Sequence, residues 1–326
     1  MASPNFFDDL LACPSCRGPL QSRPDQYQCL QCRTAYEVKN RIPRFLTALS
    51  DDEQQVRRSF NLEHARFLAS RHLHFTPKLV EQWLALTKLP AEYFKGKVVL
   101  DAGCGSGRWT YALASLGAKV VAVDLTEEGV EVTRQATAGF ENVAVLQASI
   151  FHLPFKPMSF DFVVSWGVLH HTPDTKAAFG CVVPLIKKGG GGYIMVYERH
   201  NPVKFACTDL LRRILRNFSE EDRYRFCRHL IIKNPILHLL LTHLIISDSG
   251  YKITDPLAIS TKQLGLYDAY APVFNHLHTR EEVISWFTEN HFTHITLTSP
   301  VQYTRPLDVF RWGACGGAVS VRGVRE

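Results

Sequence analysis

The sequence predicts an α/β fold in which a mostly parallel sheet is flanked by helices, with a helical insertion behind its fifth strand and a small cysteine-bearing unit in front. Three observations carry this expectation. Apolar β-branched runs alternate with helix-like segments between residues 96 and 198, the pattern of strands joined by crossovers. A glycine cluster directly follows the first of those runs, and two tight cysteine pairs stand near the start. With 326 residues, at roughly 150 per domain, there is room for about two domains. The chain is 46% hydrophobic and 21% charged, which is ordinary globular usage and excludes global disorder, collagen and coiled coil. A net charge of +6 is compatible with an anionic partner without demanding one.

Residues 1–47 hold Cys13-Pro-Ser-Cys16 and Cys29-Leu-Gln-Cys32, two C-x-x-C pairs twelve residues apart. Each pair can turn two thiolates towards one ion, and four thiolates make the closed tetrahedral set of a structural zinc. So small a segment lacks the area for its own core, so metal binding would supply its folding energy. Residues 48–95 read as a helical linker or lid: Leu79, Val80, Trp83 and Leu86 fall at helical spacing, and Pro90 ends the run. Val98–Asp101, Val120–Asp124, Val143–Gln147, Phe160–Ser165 and Gly192–Tyr197 read as buried strands. Residues 199–275 read as the helical insertion. The last fifty residues hold a helix, Thr279–Glu289, and two strand candidates, Thr293–Thr298 and Trp312–Val321, which makes seven strands within a domain of residues 96–326. No basic region followed by an apolar one opens the chain, so no secretory signal is expected, and the cysteine usage suits a reducing, cytoplasmic setting. The most apolar stretch, Leu230–Ile246, is too short and too polar for a transmembrane helix.

The segment Val98-Val-Leu-Asp-Ala-Gly-Cys-Gly-Ser-Gly-Arg-Trp-Thr110 is the most informative. A strand ends in an acid and then in glycines at 103, 105 and 107, which let the backbone turn sharply and approach a ligand. Nicotinamide enzymes also place a glycine loop after a strand, but with G-x-G-x-x-G spacing, whereas here it is G-x-G-x-G. Asp101 before the loop sits poorly beside a pyrophosphate and suits a cationic ligand. Asp124 ends the second strand, where a carboxylate can accept both hydroxyls of a ribose.

On these residues the chain resembles the class I S-adenosylmethionine-dependent methyltransferases, specifically their type 11 branch. Gln147-Ala-Ser-Ile-Phe-His-Leu-Pro-Phe155, Ser159 to Thr172, and Leu185-Ile-Lys-Lys-Gly-Gly-Gly-Gly192 follow in the family's order, the last at the turn into the fifth strand. The resemblance implies a doubly wound, seven-stranded Rossmann-like sheet. It implies that Asp101, Gly103, Gly105 and Gly107 form the methionine-side loop and that Asp124 holds the ribose. Ser149 and Ile150 would flank the adenine with Leu125 on its other face, and Ser165 and Trp166 would close the site near the methyl group, Trp166 being equally readable as core packing. Where the family commonly has an acid four residues before the Leu-Pro pair, this chain has Ser149, whose hydroxyl can still accept a hydrogen bond. Leu10 to Leu46 resembles the zinc-ribbon subunits that activate methyltransferases of the translation machinery, with Cys13, Cys16, Cys29 and Cys32 as ligands of a structural Zn2+.

The expected function is methyl transfer from S-adenosylmethionine to a small-molecule or lipid-like acceptor. An RNA or translation-factor acceptor docked by the ribbon is the alternative, and a non-catalytic cofactor-binding partner protein is a third reading. Between Arg199 and Lys233 stand nine Lys or Arg against four Asp or Glu, with Phe218, Tyr224 and Phe226 interleaved; this reads as a solvated helix face or a nucleic-acid track. Pro235–Ile246 reads as a buried packing helix or the wall of a greasy pocket. Candidate general bases are His170, His171, His276 and Tyr270, with Tyr267 and His278 behind them, although a structural or substrate-contact role is the more usual one for each. Cys104, Cys181, Cys207, Cys227 and Cys315 lack partners in sequence and read as inert thiols. The sequence leaves the oligomeric state open.

Overall fold

The computed structural model describes residues 6–67, 75–199, 202–242, 244–251, 253–299 and 317–326. Four short antiparallel strands, β1 (Leu20–Arg23), β2 (Gln26–Cys29), β3 (Ala35–Lys39) and β4 (Ile42–Pro43), form a ribbon in sequential order. Each cysteine pair is followed by a residue in the left-handed region, Arg17 at φ 63° and Arg33 at φ 65°, whose N–H donates back to Cys13 or Cys29. These tight knuckles turn both pairs towards one point. The ribbon continues into the main body. Phe45 N donates to Gln147 O and Ala12 N to Pro154 O, and Tyr27, Tyr36 and Phe45 share one core cluster with Leu146 and Phe155.

Two helices follow, α1 (Asp51–Phe67) and α2 (Lys78–Thr87). The main sheet is then laid down by β5 (Val98–Ala102), α3 (Arg108–Ser115), β6 (Lys119–Asp124), α4 (Glu127–Ala136), β7 (Val143–Gln147), β8 (Phe160–Trp166), α5 (Thr175–Val182) and β9 (Ile186–Tyr197). The insertion comprises α6 (Pro202–Leu215), α7 (Glu220–His229), β10 (Ile231–Ile232), α8 (Pro235–Leu241), β11 (Asp248–Ser249) and α9 (Pro256–Tyr270). The chain closes with α10 (Arg280–Glu289), β12 (Phe292–Leu297) and β13 (Ala318–Arg325). The seven strands run in the order β12-β13-β9-β8-β5-β6-β7, with β5 to β9 parallel and β12 and β13 antiparallel.

Side-chain alternation explains why the strand runs read as continuously apolar. Val99, Val120, Phe162 and Tyr193 enter one cluster with Trp83 and Trp109. Their neighbours Leu100, Val121, Val163 and Ile194 enter another with Phe179, Phe287 and the ribbon aromatics. The sheet is buried on both faces, as expected of a parallel sheet with crossovers.

Three expectations are corrected. The glycines before Gly192 lie inside β9, which starts at Ile186; a side chain on Gly191 would put its Cβ 2.5 Å from the Phe162 ring, so the run is bare to admit that ring. Pro235–Leu241 is helical but not buried: Ile236, Leu239 and Leu240 are 71%, 64% and 63% exposed. The basic stretch is not simply a solvated face, because Lys204, Arg212 and Arg223 are buried. Arg212 donates to Ala269 O and Pro272 O, and Arg223 to Leu215 O and Ala271 O, so these cations tie the insertion together. The last strand begins at Ala318, while residues 312–316, including Cys315, lie outside the described residues. Among the described residues no helix is long and apolar enough to cross a membrane.

Candidate functional site

A cavity of about 450 Å³ opens beyond the carboxyl ends of β5, β6 and β8, where ligands bind in open α/β sheets. The loop from β5 to α3 forms its floor. Gly103 has φ +89° and a Cβ there would lie 2.4 Å from Val168, so only glycine fits. Gly105 (φ +51°) presses against His64, and Gly107 caps α3 from the left-handed region. Asp124 faces this loop: one oxygen accepts from Gly105 N at 2.8 Å, the other from Thr126 N at 2.8 Å and Thr126 Oγ1 at 2.6 Å. A carboxylate offers roughly four acceptor positions, so one remains for a ligand.

Ser149 sits opposite, and its partner comes from far away in sequence. Ser50 and Glu53 open α1 as a capping box: Ser50 N donates to Glu53 Oε2 at 3.0 Å and Glu53 N to Ser50 Oγ at 3.2 Å. The free oxygen, Glu53 Oε1, accepts from Ser149 Oγ at 2.5 Å. A buried acid therefore does stand beside Ser149 and lines the cavity, supplied by α1 rather than by the chain around β7. The Ser50-Asp-Asp-Glu53 spacing was the sequence signal for the cap, though not for its destination.

The opposite end of the cavity is built from α1, α9 and the chain after β8. Asp268 on α9 accepts from the hydroxyl of Tyr197, and its other oxygen is 3.3 Å from His171 Nε2. His171 Nδ1 is 2.9 Å from the carbonyl of Phe274, which can only accept, so the ring is held by an Nδ1–H bond and turns Nε2 towards Asp268. Burial pushes Asp268 up, but the neighbouring His171 and the hydrogen bond from Tyr197 outweigh it and hold the carboxyl below its ordinary value. Glu63 on α1 goes the other way: burial, then the charges of Asp268 and Asp124, push it well above the usual carboxylate range. Glu63 Oε2 is buried without a hydrogen-bond partner, a polar atom a bound ligand could complete. Val56, Phe60, Phe67, Leu264 and Met195 make the rest of this end apolar.

The ten residues expected at a cofactor divide. Gly103, Gly105, Asp124, Leu125, Ser149, Ile150 and Trp166 line the cavity together. Asp101, Gly107 and Ser165 lie behind the lining. Asp101 Oδ2 accepts from Thr110 Oγ1 at 2.6 Å, and burial pushes its carboxyl up to about 7 although that hydrogen bond pulls it down. Ser165 Oγ donates to Ala102 O. Trp166 both lines the cavity and packs, its ring 5.3 Å from that of Trp109. Of the weak base candidates, His171 lines the cavity and His170, His276 and Tyr270 do not. His170 is fully buried with neither ring nitrogen partnered, and burial, then the neighbouring His171, His278, His276 and Arg212, hold it well below its ordinary value. His276 stacks on Phe274, and the Tyr270 hydroxyl accepts from Ile246 N. Tyr267 donates to Glu220, and His278 meets Thr175. Glu53, Glu63 and Asp268 on helices and Tyr197 at the end of β9 were missed, because nothing local marks a residue for a cavity whose other walls lie far along the chain.

A second constellation lies in the ribbon. The sulfurs of Cys13, Cys16, Cys29 and Cys32 all lie within 4.8 Å of one another, with Cys16–Cys29 at 3.4 Å and Cys13–Cys32 at 3.7 Å. Tetrahedral Zn–S bonds of about 2.3 Å separate sulfurs by about 3.8 Å, so the donor set fits that ion. The Tyr36 hydroxyl stands 3.2 Å from Cys13 Sγ and 3.0 Å from Ser15 Oγ, a polar second layer around the sulfurs.

Residues 94–246 match the family described as "Methyltransferase domain". Over 99 residues the chain is 36% identical to demethylmenaquinone methyltransferase of Staphylococcus aureus, an alignment covering 29% of this chain and 41% of that protein. The chain thus spans about two fifths of the length of the curated relatives it matches. Among solved structures, phosphoethanolamine N-methyltransferase 2 of Haemonchus contortus superposes with a TM-score of 0.51 at 15% identity, over 87% of this chain and 62% of that one. Magnesium protoporphyrin IX methyltransferase of Synechocystis, solved with S-adenosylhomocysteine, superposes with a TM-score of 0.49 at 16% identity, over 85% and 100%.

Proposed function

We propose that this chain, which carries a class I methyltransferase domain, transfers the methyl group of S-adenosylmethionine to a small, lipid-like acceptor. The observation that supports this most is the two-ended cavity: a glycine loop facing a strand-end carboxylate at one end, an apolar chamber with one polar cluster at the other. The reading assigns the cofactor to the first end. Asp124 accepts one ribose hydroxyl at its remaining position, the bare backbone at Gly103 and Gly105 admits the methionine portion, and Leu125 and Ile150 sandwich the adenine. Glu53, presented through Ser149, offers an acceptor to its amino group. Asp101 supplies charge from behind the loop, and Trp166 closes the middle.

Bound S-adenosylmethionine supplies an electrophilic sulfonium methyl and a neutral thioether leaving group. The work left to the protein is therefore positioning and water exclusion. Phe60, Phe67, Leu264 and Met195 exclude water from the acceptor. Where the acceptor must lose a proton, the His171–Asp268 pair takes it as a unit, while the Tyr197 hydroxyl orients Asp268. Cys13, Cys16, Cys29 and Cys32 hold one structural Zn2+. The ribbon rests on the chain's own sheet through Phe45–Gln147 and Ala12–Pro154, which supports a scaffolding role for it.

The test uses S-adenosylmethionine labelled in its methyl group, offered with a total lipid extract, total RNA or a ribosome-free protein fraction. Label is expected in the organic phase. Label confined to RNA or to protein would overturn the lipid-like acceptor in favour of a nucleic-acid or translation-factor substrate.

A further inference from the structure

Exposed large hydrophobic side chains are concentrated in one part of the molecule. The described residues contain thirteen of them, and eleven fall between Val203 and Tyr251, inside the helical insertion. The densest group is Ile236, Leu237, Leu239 and Leu240 on α8, with Leu244 just beyond. Single exposed leucines are normal, but five large aliphatics within nine residues make a patch, and patches mark interaction surfaces. The element that presents them is a capped helix. Asn234 Oδ1 accepts from Ile236 N at 2.9 Å and Leu237 N at 3.1 Å, and Pro235 occupies the first helical position.

Charge selects the occupant. From Arg223 to Ser247 there is no aspartate or glutamate, while Arg225, Arg228 and Lys233 lead up to the patch. All three are exposed, and among the described residues Arg228 and Lys233 have no ion-pair partner. Exposed aliphatic side chains close in sequence to two unpaired cations match the boundary between acyl chains and anionic headgroups, and the nearest anion, Asp248 on β11, is neutralised by Lys262. A two-fold contact with a second copy would bring the same cations towards each other. The patch is also joined to the cavity wall. α8 packs on β10 and β11, β10 packs on α9, and α9 lends Leu264 and Asp268 to the acceptor end.

We infer that α8 and its leading cations dock the protein on an anionic lipid bilayer, in the plane of the headgroups rather than across the membrane. This goes beyond the methyl-transfer reading; only its corollary, that acceptors are drawn from the bilayer, rests on that reading. The experiment is co-sedimentation of the full chain, without cofactor, with vesicles of phosphatidylcholine alone or mixed equally with phosphatidylglycerol. Binding to the anionic vesicles is expected, weakening with salt. It should fall about tenfold or more in Leu239→Asp/Leu240→Asp and, independently, in Arg228→Glu/Lys233→Glu. Met158→Asp, at an exposed methionine outside the insertion, should leave it unchanged. All these positions are exposed, so the melting curves should stay close to wild type, and the charge pair tests the surface even if the leucine pair misfolds. Equal binding by wild type and both double variants, or no vesicle binding at all, overturns the inference. So does a sedimentation-equilibrium dimer that the leucine pair dissociates, because a second copy would then be the occupant. Cofactor titration is independent of vesicles, so failure here leaves methyl transfer standing, and the reverse also holds.

Discussion

The two ends of the cavity are built on opposite principles. The end assigned to the cofactor is made mainly by residues close in sequence to strand ends, namely the glycine loop after β5, Asp124 at the tip of β6, and Ser149 and Ile150 after β7, with Glu53 and His64 added from α1. The backbone does most of its work, through positive φ angles and N–H groups. The end assigned to the acceptor is made by side chains from helices that meet only in the folded protein: Glu63 from α1, Asp268 from α9 and His171 from the loop after β8. A backbone-built site tolerates little change along the chain, whereas a helix-built site can be altered one side chain at a time while the fold stands. On the proposed assignment, the difference makes cofactor use and acceptor choice separable.

Substitutions can break that separation, the largest expected effect first. Asp124→Ala removes the anion that Gly105 N and Thr126 converge on and leaves buried donors unpaired, so cofactor affinity should fall by about a hundredfold or more by calorimetry. Asp268→Asn should lower the turnover rate by about tenfold or more and leave the cofactor dissociation constant within about twofold, if the His171–Asp268 pair takes the acceptor's proton. Equal losses in both quantities would mean that the two ends are not separable. Glu53→Gln keeps the cap on α1 but replaces the carboxylate beside Ser149, and should weaken cofactor binding by about tenfold with little change in melting temperature.

The smallest effect is the most specific. Asp101 is held at about 7 in the folded protein by burial, against about 3.9 for an unfolded aspartate. An acid raised on folding costs nothing below the unfolded value, costs progressively more as pH rises from about 4 to 7, and costs the full amount above that. Asp101→Asn keeps an acceptor for Thr110 and removes this cost. The variant should melt a few degrees higher than wild type at pH 8, with the gap closing as pH falls towards about 4. The same carboxyl sharpens the cofactor reading: wild-type affinity for a cationic ligand should fall between about pH 8 and pH 6 as Asp101 takes up a proton. The Asp101→Asn variant should bind weakly at both.

What could be read from the sequence follows the same division. The parallel strands, the glycine loop, Asp124 and the cysteine quartet are local patterns, set by backbone geometry or by ligand spacing, and the structure displays each where spacing put it. Asp101 and Ser165 were legible as neighbours of the site but not in their orientation, which Thr110 and the Ala102 carbonyl determine. Glu53 was half legible, since its capping box is local and its meeting with Ser149 spans 96 residues. Glu63 and Asp268 were illegible, because helix periodicity shows which face of a helix is buried and not what it is buried against. The exposed face of α8 was misread for a related reason: an apolar helix in a globular chain is expected to pack inside, and composition alone does not separate a core helix from one that covers a partner.

The central claim is that the backbone-built end holds S-adenosylmethionine, and calorimetric titration tests it most directly. The purified protein would be titrated with S-adenosylmethionine, S-adenosylhomocysteine and, for comparison, NAD. Saturable binding of both sulfur ligands with none of NAD, lost in Asp124→Ala and retained in Asp268→Asn, is the result the account predicts. Binding of NAD alone, or of no ligand to a protein that melts cooperatively, would contradict it.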